Sequence, residues 1–143
     1  EELTPKPELL ESIDDSEGNG IDLRQLLQAM NARLSRLLHR DQTLGHSYFY
    51  HVKSFDELRR VFAREILPFL QEAFYDDWRQ IRYVLADQAV EEELQLVRAR
   101  TQSAAVLFPK ADPAEIRDGE AFEIIREDDI TPDAIRKIYE PPE

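Results

Sequence analysis

The chain has 143 residues, 42% of them hydrophobic, with a net charge of -12 and no cysteine. That length and apolar content fit one domain with its own core, while the missing cysteine excludes disulfides and thiolate metal sites. No apolar run approaches the roughly 20 residues needed to cross a bilayer and the start lacks the layout of a signal peptide, so the expected location is the cytoplasm, with no membrane contact.

The charge is unevenly spread. Residues 1–20 hold seven acids and one base, residues 101–143 eleven acids and five bases, and residues 21–100 twelve of each, eleven of those bases being arginine. Two acidic flanks repel free DNA, which argues against affinity driven by phosphate neutralisation for this chain alone. A local arginine cluster can still meet a phosphate or a partner's carboxylates.

In chain order, residues 1–20 combine prolines, glycines and an acidic run and read as an extended connection. Glu1 in place of a methionine implies an excerpt of something longer. From Asp22, Leu23, Leu26, Leu27, Met30, Leu34, Leu37 and Leu38 recur at spacings of three and four, which is one helix. Asp22 caps it, with Gln25 completing a capping box. Burying those side chains does not offset the entropy of ordering the segment, so the helix needs neighbours. A second capping box, Ser54 with Glu57, opens a helix that turns Leu58, Val61, Phe62 and Ile66 inward. Pro68 removes an amide donor, so two helices are expected to meet near Leu67, with Phe69, Leu70, Phe74, Trp78, Ile81 and Leu85 as the buried stripe.

A weaker, acidic helix is expected over "QAVEEELQLVRAR". "AAVLF" and "AFEIIRE" are expected as two short strands. A last helix starts with Thr131 as cap and Pro132 at its first position. The fold class is mainly α: a helical bundle of four to five helices over residues 21–100, then a small two-stranded β appendage and final helix over 101–143.

Residues Leu44 to Val52, "LGHSYFYHV", gather three aromatics and two histidines. Gly45, His46 and Ser47 match the start of G-x-S-x-G, but Phe49 stands where the second glycine makes the nucleophile turn, and the segment follows a helix. His46 and His51 are five apart with no H-E-x-x-H pattern, so no metal ligand is assigned. The glycines, Gly18, Gly20, Gly45 and Gly119, do not precede Lys-Ser or Lys-Thr, which leaves no P-loop here. The adjacent carboxylates of "FYDDW" point to different sides of a helix and make no dyad. No catalytic residue is assigned. Arg33, Arg36 and Arg40 recur at helical spacing and can face an anion or partner, or form a solvated basic face.

"RDQTLGHSYF" at Arg40–Phe49 and "ILPFLQEAFYDDWRQIRYVL" at Ile66–Leu85 resemble the C-terminal part of the McrB-type AAA+ motor subunit of modified-cytosine restriction systems. "EELTPKPELLES" and "FEIIRE" with "IRKIYE" extend the resemblance more weakly to both ends; Ala73 stands where the family usually has an aromatic. The resemblance implies an AAA+ lid-type bundle, with residues 1–20 leading from an AAA+ core. It implies that the parent motor binds and hydrolyses GTP, or ATP in some relatives, with Mg2+, between subunits of a hexameric ring. That motor drives DNA translocation and activates a McrC-type nuclease. The P-loop, the magnesium-binding acids and the arginine fingers belong to the core, so the fragment is expected to be inactive alone. Gly45, His46 and Ser47 would face the nucleotide, with Tyr48 and Phe49 anchoring the turn, and Arg33, Arg36 and Arg40 would face a neighbouring subunit or partner. The other open reading is an autonomous helical protein-interaction module with no nucleotide role; a G-x-x-x-x-G-K-[ST] motif upstream of Glu1 separates the two.

Overall fold

The computed structural model describes residues 12–14, 20–38 and 43–140. Within the expected connection, β1 (Ser12–Asp14) and β2 (Gly20–Asp22) pair antiparallel, with Ile13 opposite Ile21 and both buried. Residues 1–11 and 15–19 lie outside the described residues.

Helix α1 (Leu23–Leu38) buries Leu23, Leu26, Leu27, Met30 and Leu34, and Leu37 and Leu38 pack partly buried at its end. The Asp22 carboxylate accepts from the Arg24 and Gln25 amides at 3.0 and 3.2 Å. The expected reciprocal arm differs: the Gln25 amide donates to the Asp22 side chain at 3.0 Å. The Asp22 backbone N–H donates instead to the Tyr139 hydroxyl at 3.0 Å. A distant partner has taken the donor that a capping box satisfies locally.

Ser54 caps α2 (Phe55–Val61) and accepts from the Glu57 amide. Two helical segments meet at Leu67 as expected, but the backbone stays helical through the junction. A π-helical turn, Phe62–Ile66, joins α2 to α3 (Leu67–Ala73), and the Leu67 N–H reaches back five residues to the Phe62 carbonyl. Widening by one residue moves the ladder past Pro68, which has no N–H and whose ring would clash with the fourth carbonyl back. The chain breaks instead after Ala73. The Asp76 N–H bonds the Gln71 carbonyl at 2.9 Å and the Tyr75 N–H bonds that of Glu72 at 3.3 Å, with Tyr75 at φ 52° and Asp76 at φ 63°. These are the paired bonds of a Schellman C-cap, with tyrosine at the left-handed position that usually holds glycine. Asp77 then caps α4 (Trp78–Val84), which packs against α1 and α3.

The helix expected over Gln88–Arg100 does not form. Ala86 at φ 59° ends α4, two 3-10 turns follow (Asp87–Ala89, Glu92–Leu94), and the chain runs into β3 (Val97–Gln102). The buried Asp87 carboxylate accepts the amides of Leu96 and Val97 at 2.9 and 2.8 Å, bonds that a helix there could not offer. β3 pairs antiparallel with β4 (Gly119–Ile124), Val97 opposite Ile124 and Gln102 opposite Gly119. "AAVLF", expected as a strand, is mostly α5 (Ala104–Leu107), a short turn beyond the ribbon. The ribbon follows α4: Arg82 donates to the Val97 carbonyl at one end, and Arg79 pairs with Glu120 at 2.9 Å at the other.

Helix α6 (Pro132–Arg136) starts as expected, the Thr131 hydroxyl accepting from the Ala134 amide. The expected 101–143 unit divides in its packing. The ribbon tip is exposed, whereas Ile130, Ala134, Ile135 and Ile138 join the same core as α1 and α4. The described fold is mainly helical, with two small two-stranded antiparallel sheets. Among the described residues, no helix is long and apolar enough to cross a membrane.

Candidate functional site

The turn after α1 is fixed from inside. Asn31 brackets Leu44: its amide donates to the Leu44 carbonyl at 2.9 Å and its oxygen accepts the Leu44 N–H at 2.6 Å. Leu44 is fully buried. Gly45 follows, then a 3-10 turn over His46–Tyr48, with the Tyr48 N–H on the Gly45 carbonyl at 3.3 Å. A Cβ added at Gly45 would meet only ordinary contact, the Ser47 hydroxyl at 3.5 Å, so the turn does not demand glycine. Phe49 is buried against Phe62 with ring centroids 6.3 Å apart, and Tyr48 tilts against Phe69 at 6.1 Å. Both aromatics therefore anchor the turn as expected.

Beside this turn lies an open cleft of about 340 Å³, lined by Ser47, Tyr48, His51, Glu57, Arg60 and Arg64 among others. Arg60 and Arg64 lie one helical turn apart across the α2 end and the π turn, so both reach the same side. Arg64 is held by Glu127, Nε to Oε1 at 2.9 Å, whereas Arg60 is exposed and has no ion pair among the described residues. Burial, then the carboxylates of Glu65 and Glu72, push the Tyr48 phenol above its ordinary pKa, so it stays protonated and able to donate. Ser47 is exposed at the rim and His46 opens the turn. Glu57 and Glu65 in the same lining match the two arginine charges, so the cleft's donors and acceptors suit a polar ligand. Among the described residues, no three of His, Asp and Glu come together as a metal site.

Of the arginines expected to share a face, Arg33 turns inward. Arg33 donates to the Val84 carbonyl at 3.0 Å, tying α1 to the end of α4, and burial lowers its pKa. Arg36 is exposed. Arg40 lies outside the described residues. Of the three, Arg36 is the one whose described surroundings leave it facing solvent.

The cleft arginines Arg60 and Arg64 escaped sequence reasoning, and so did Asn31 and Lys137. Asn31 sits within a leucine stripe where a weak helix former has no local use, and that oddity was its only signal. Lys137 is 2% exposed, and its ammonium donates to the carbonyls of Leu85 at 2.7 Å and Ala134 at 3.0 Å and pairs with Asp87 at 2.9 Å. Burial lowers its pKa, the Asp87 charge opposing. Nothing in the local pattern of "IRKIYE" marks that lysine as internal.

The family model for the McrB alpha-helical lid domain matches residues 22–82. That span covers α1, the Asn31-braced turn, the cleft-lining part of α2 and most of α4, and it makes this stretch similar to a McrB-type lid region, as the sequence resemblance implied. No curated protein matches the chain.

Proposed function

From that lid match, we propose that the chain is the helical lid of a McrB-like AAA+ motor. The motor binds and hydrolyses GTP or ATP, with Mg2+, between subunits of a hexameric ring. It drives DNA translocation and activates a McrC-type nuclease in the restriction of modified DNA. The observation that carries this reading is the match over residues 22–82. The composition supports it: the chain has only four glycines and none begins a phosphate cradle, so the phosphates are held by a separate core.

In this reading the lid contributes a polar rim that closes over nucleotide. Gly45, His46 and Ser47 supply backbone and side-chain hydrogen bonds, Arg60 supplies charge, and the packing of Phe49 on Phe62 keeps the turn from collapsing. Each charge-assisted bond contributes about 1.5–3 kcal/mol. A differential of about 1.4 kcal/mol shifts an open–closed ratio tenfold, so one such bond is enough to bias closure.

The test is a nucleotide titration of the full-length protein, read by hydrolysis rate and assembly state, for wild type, His46→Ala and Ser47→Ala. Weaker binding or turnover with an intact lid is expected. Unchanged kinetics would remove the turn from the mechanism. Robust triphosphate turnover by the 143-residue chain alone would overturn the lid reading itself.

A further inference from the structure

The turn that carries Gly45, His46 and Ser47 does not take its shape from its glycine: Gly45 has room for a Cβ and no left-handed backbone. Its two ends are held instead. At the exit, Phe49 is buried against Phe62. At the entry, the Asn31 amide donates to the Leu44 carbonyl at 2.9 Å and accepts the Leu44 N–H at 2.6 Å, across 13 positions of sequence.

The two Leu44 groups belong to the two peptide planes that flank that residue. One side chain therefore fixes both the φ and the ψ of Leu44, and with them the direction in which Gly45 leaves it. An amide suits this task because it carries a donor and an acceptor on one planar group. Turning it over would set N–H against N–H and oxygen against oxygen, so the bracket holds in one sense only. The nitrogen and the oxygen of the Asn31 amide are both engaged by Leu44, so Asn31 works through the turn and not on a ligand.

We propose that Asn31 is a positioning residue for nucleotide: by clamping Leu44 it keeps residues 45–47 in their ligand-facing arrangement before the ligand arrives. The inference rests on the nucleotide-facing reading of that turn and adds the residue that sets how much of the time the turn is competent. A site competent for only a fraction of the time binds with its affinity reduced by that fraction. Ordering the turn during folding also removes the cost of ordering it on binding.

The test is equilibrium binding of the γ-thio analogues of GTP and ATP, with Mg2+, to the full-length protein, the tighter analogue being carried through the variants. Asn31→Ala should weaken it at least about threefold. Asn31→Asp keeps the acceptor for the Leu44 N–H but loses the donor, and it should shift affinity the same way if the alanine variant fails to fold. Tyr139→Phe, which loses a bond at the other end of α1, controls for lost stability and should bind like wild type. In a His46→Ala, Ser47→Ala background the turn has less to contribute, so Asn31→Ala should cost less there than in wild type. Wild-type affinity in a folded Asn31 variant, an equal loss in Tyr139→Phe, or an equal cost in both backgrounds would each overturn the proposal. If the His46→Ala, Ser47→Ala protein itself binds like wild type, the nucleotide-facing reading of the turn fails first and takes this inference with it.

Discussion

Asp87→Ala is the most severe single change the structure points to. It strips the anion from a lysine whose side chain is 1% exposed, and it leaves the Leu96 and Val97 amides without their acceptor. Breaking a buried ion pair costs about 3–5 kcal/mol and each orphaned amide about 1–3 kcal/mol. The two costs share atoms, so the expected loss is about 5 kcal/mol, a large share of the roughly 5–15 kcal/mol that holds such a domain folded. Urea unfolding followed by circular dichroism measures it through the shift in midpoint at constant slope. Asp87→Asn keeps one acceptor and should lose roughly half as much. Removing both charges with Lys137→Met in the Asp87→Asn background should cost at least about 1 kcal/mol less than the two single losses added. The lysine also sets a pH dependence. Its folded pKa lies below the ordinary 10.5 because burial disfavours the ammonium. Between those values the unfolded chain holds the extra proton, so the stability of wild type relative to Lys137→Met should rise with pH in that window. A loss below about 1 kcal/mol for Asp87→Ala, or additive double-mutant costs, would refute the reasoning.

Tyr75→Gly should stabilise the chain: relieving a left-handed side chain returns about 1–2 kcal/mol, of which glycine's extra unfolded freedom takes back about 0.5–1 kcal/mol. Thermal unfolding checks it, and a lower midpoint would contradict the strain read at φ 52°. Asn31→Ala leaves both polar groups of buried Leu44 without a partner and should cost about 2–3 kcal/mol in urea; a neutral outcome would mean the turn is braced elsewhere. Tyr139→Phe removes the acceptor of the Asp22 amide and should cost about 1 kcal/mol near neutral pH. Burial holds the Tyr139 pKa above its ordinary 10.0, so its contribution is present below that pH and is lost as pH rises through the raised value. The variant should therefore show a shallower alkaline decline than wild type, and an identical slope would sink that assignment.

The features legible in the sequence are local. The leucine period of α1 and the caps at Asp22, Ser54 and Thr131 each depend on neighbours within a few residues. What was misread depended on distant groups or on compensation. Pro68 is a breaker by itself, but one π turn absorbs it. Val90, Leu94 and Val97 keep a helical spacing, yet Asp87 draws the following amides into a different path. The candidate site divides the same way. The anchoring of its turn by Tyr48 and Phe49 was implied by the family resemblance and is met by their packing on Phe69 and Phe62. The Asn31 brace, the cleft arginines Arg60 and Arg64 and the inward commitment of Arg33 required elements far apart in sequence to meet.

The bond from the Asp22 amide to the Tyr139 hydroxyl bridges 117 positions, and Arg136 adds a second link to the Gly20 carbonyl. Strand β2 is thus pinned to the final helix at the point where α1 begins. A displacement of α6 is therefore felt at β2 and at the first turn of α1, although the two ends lie at opposite ends of the sequence.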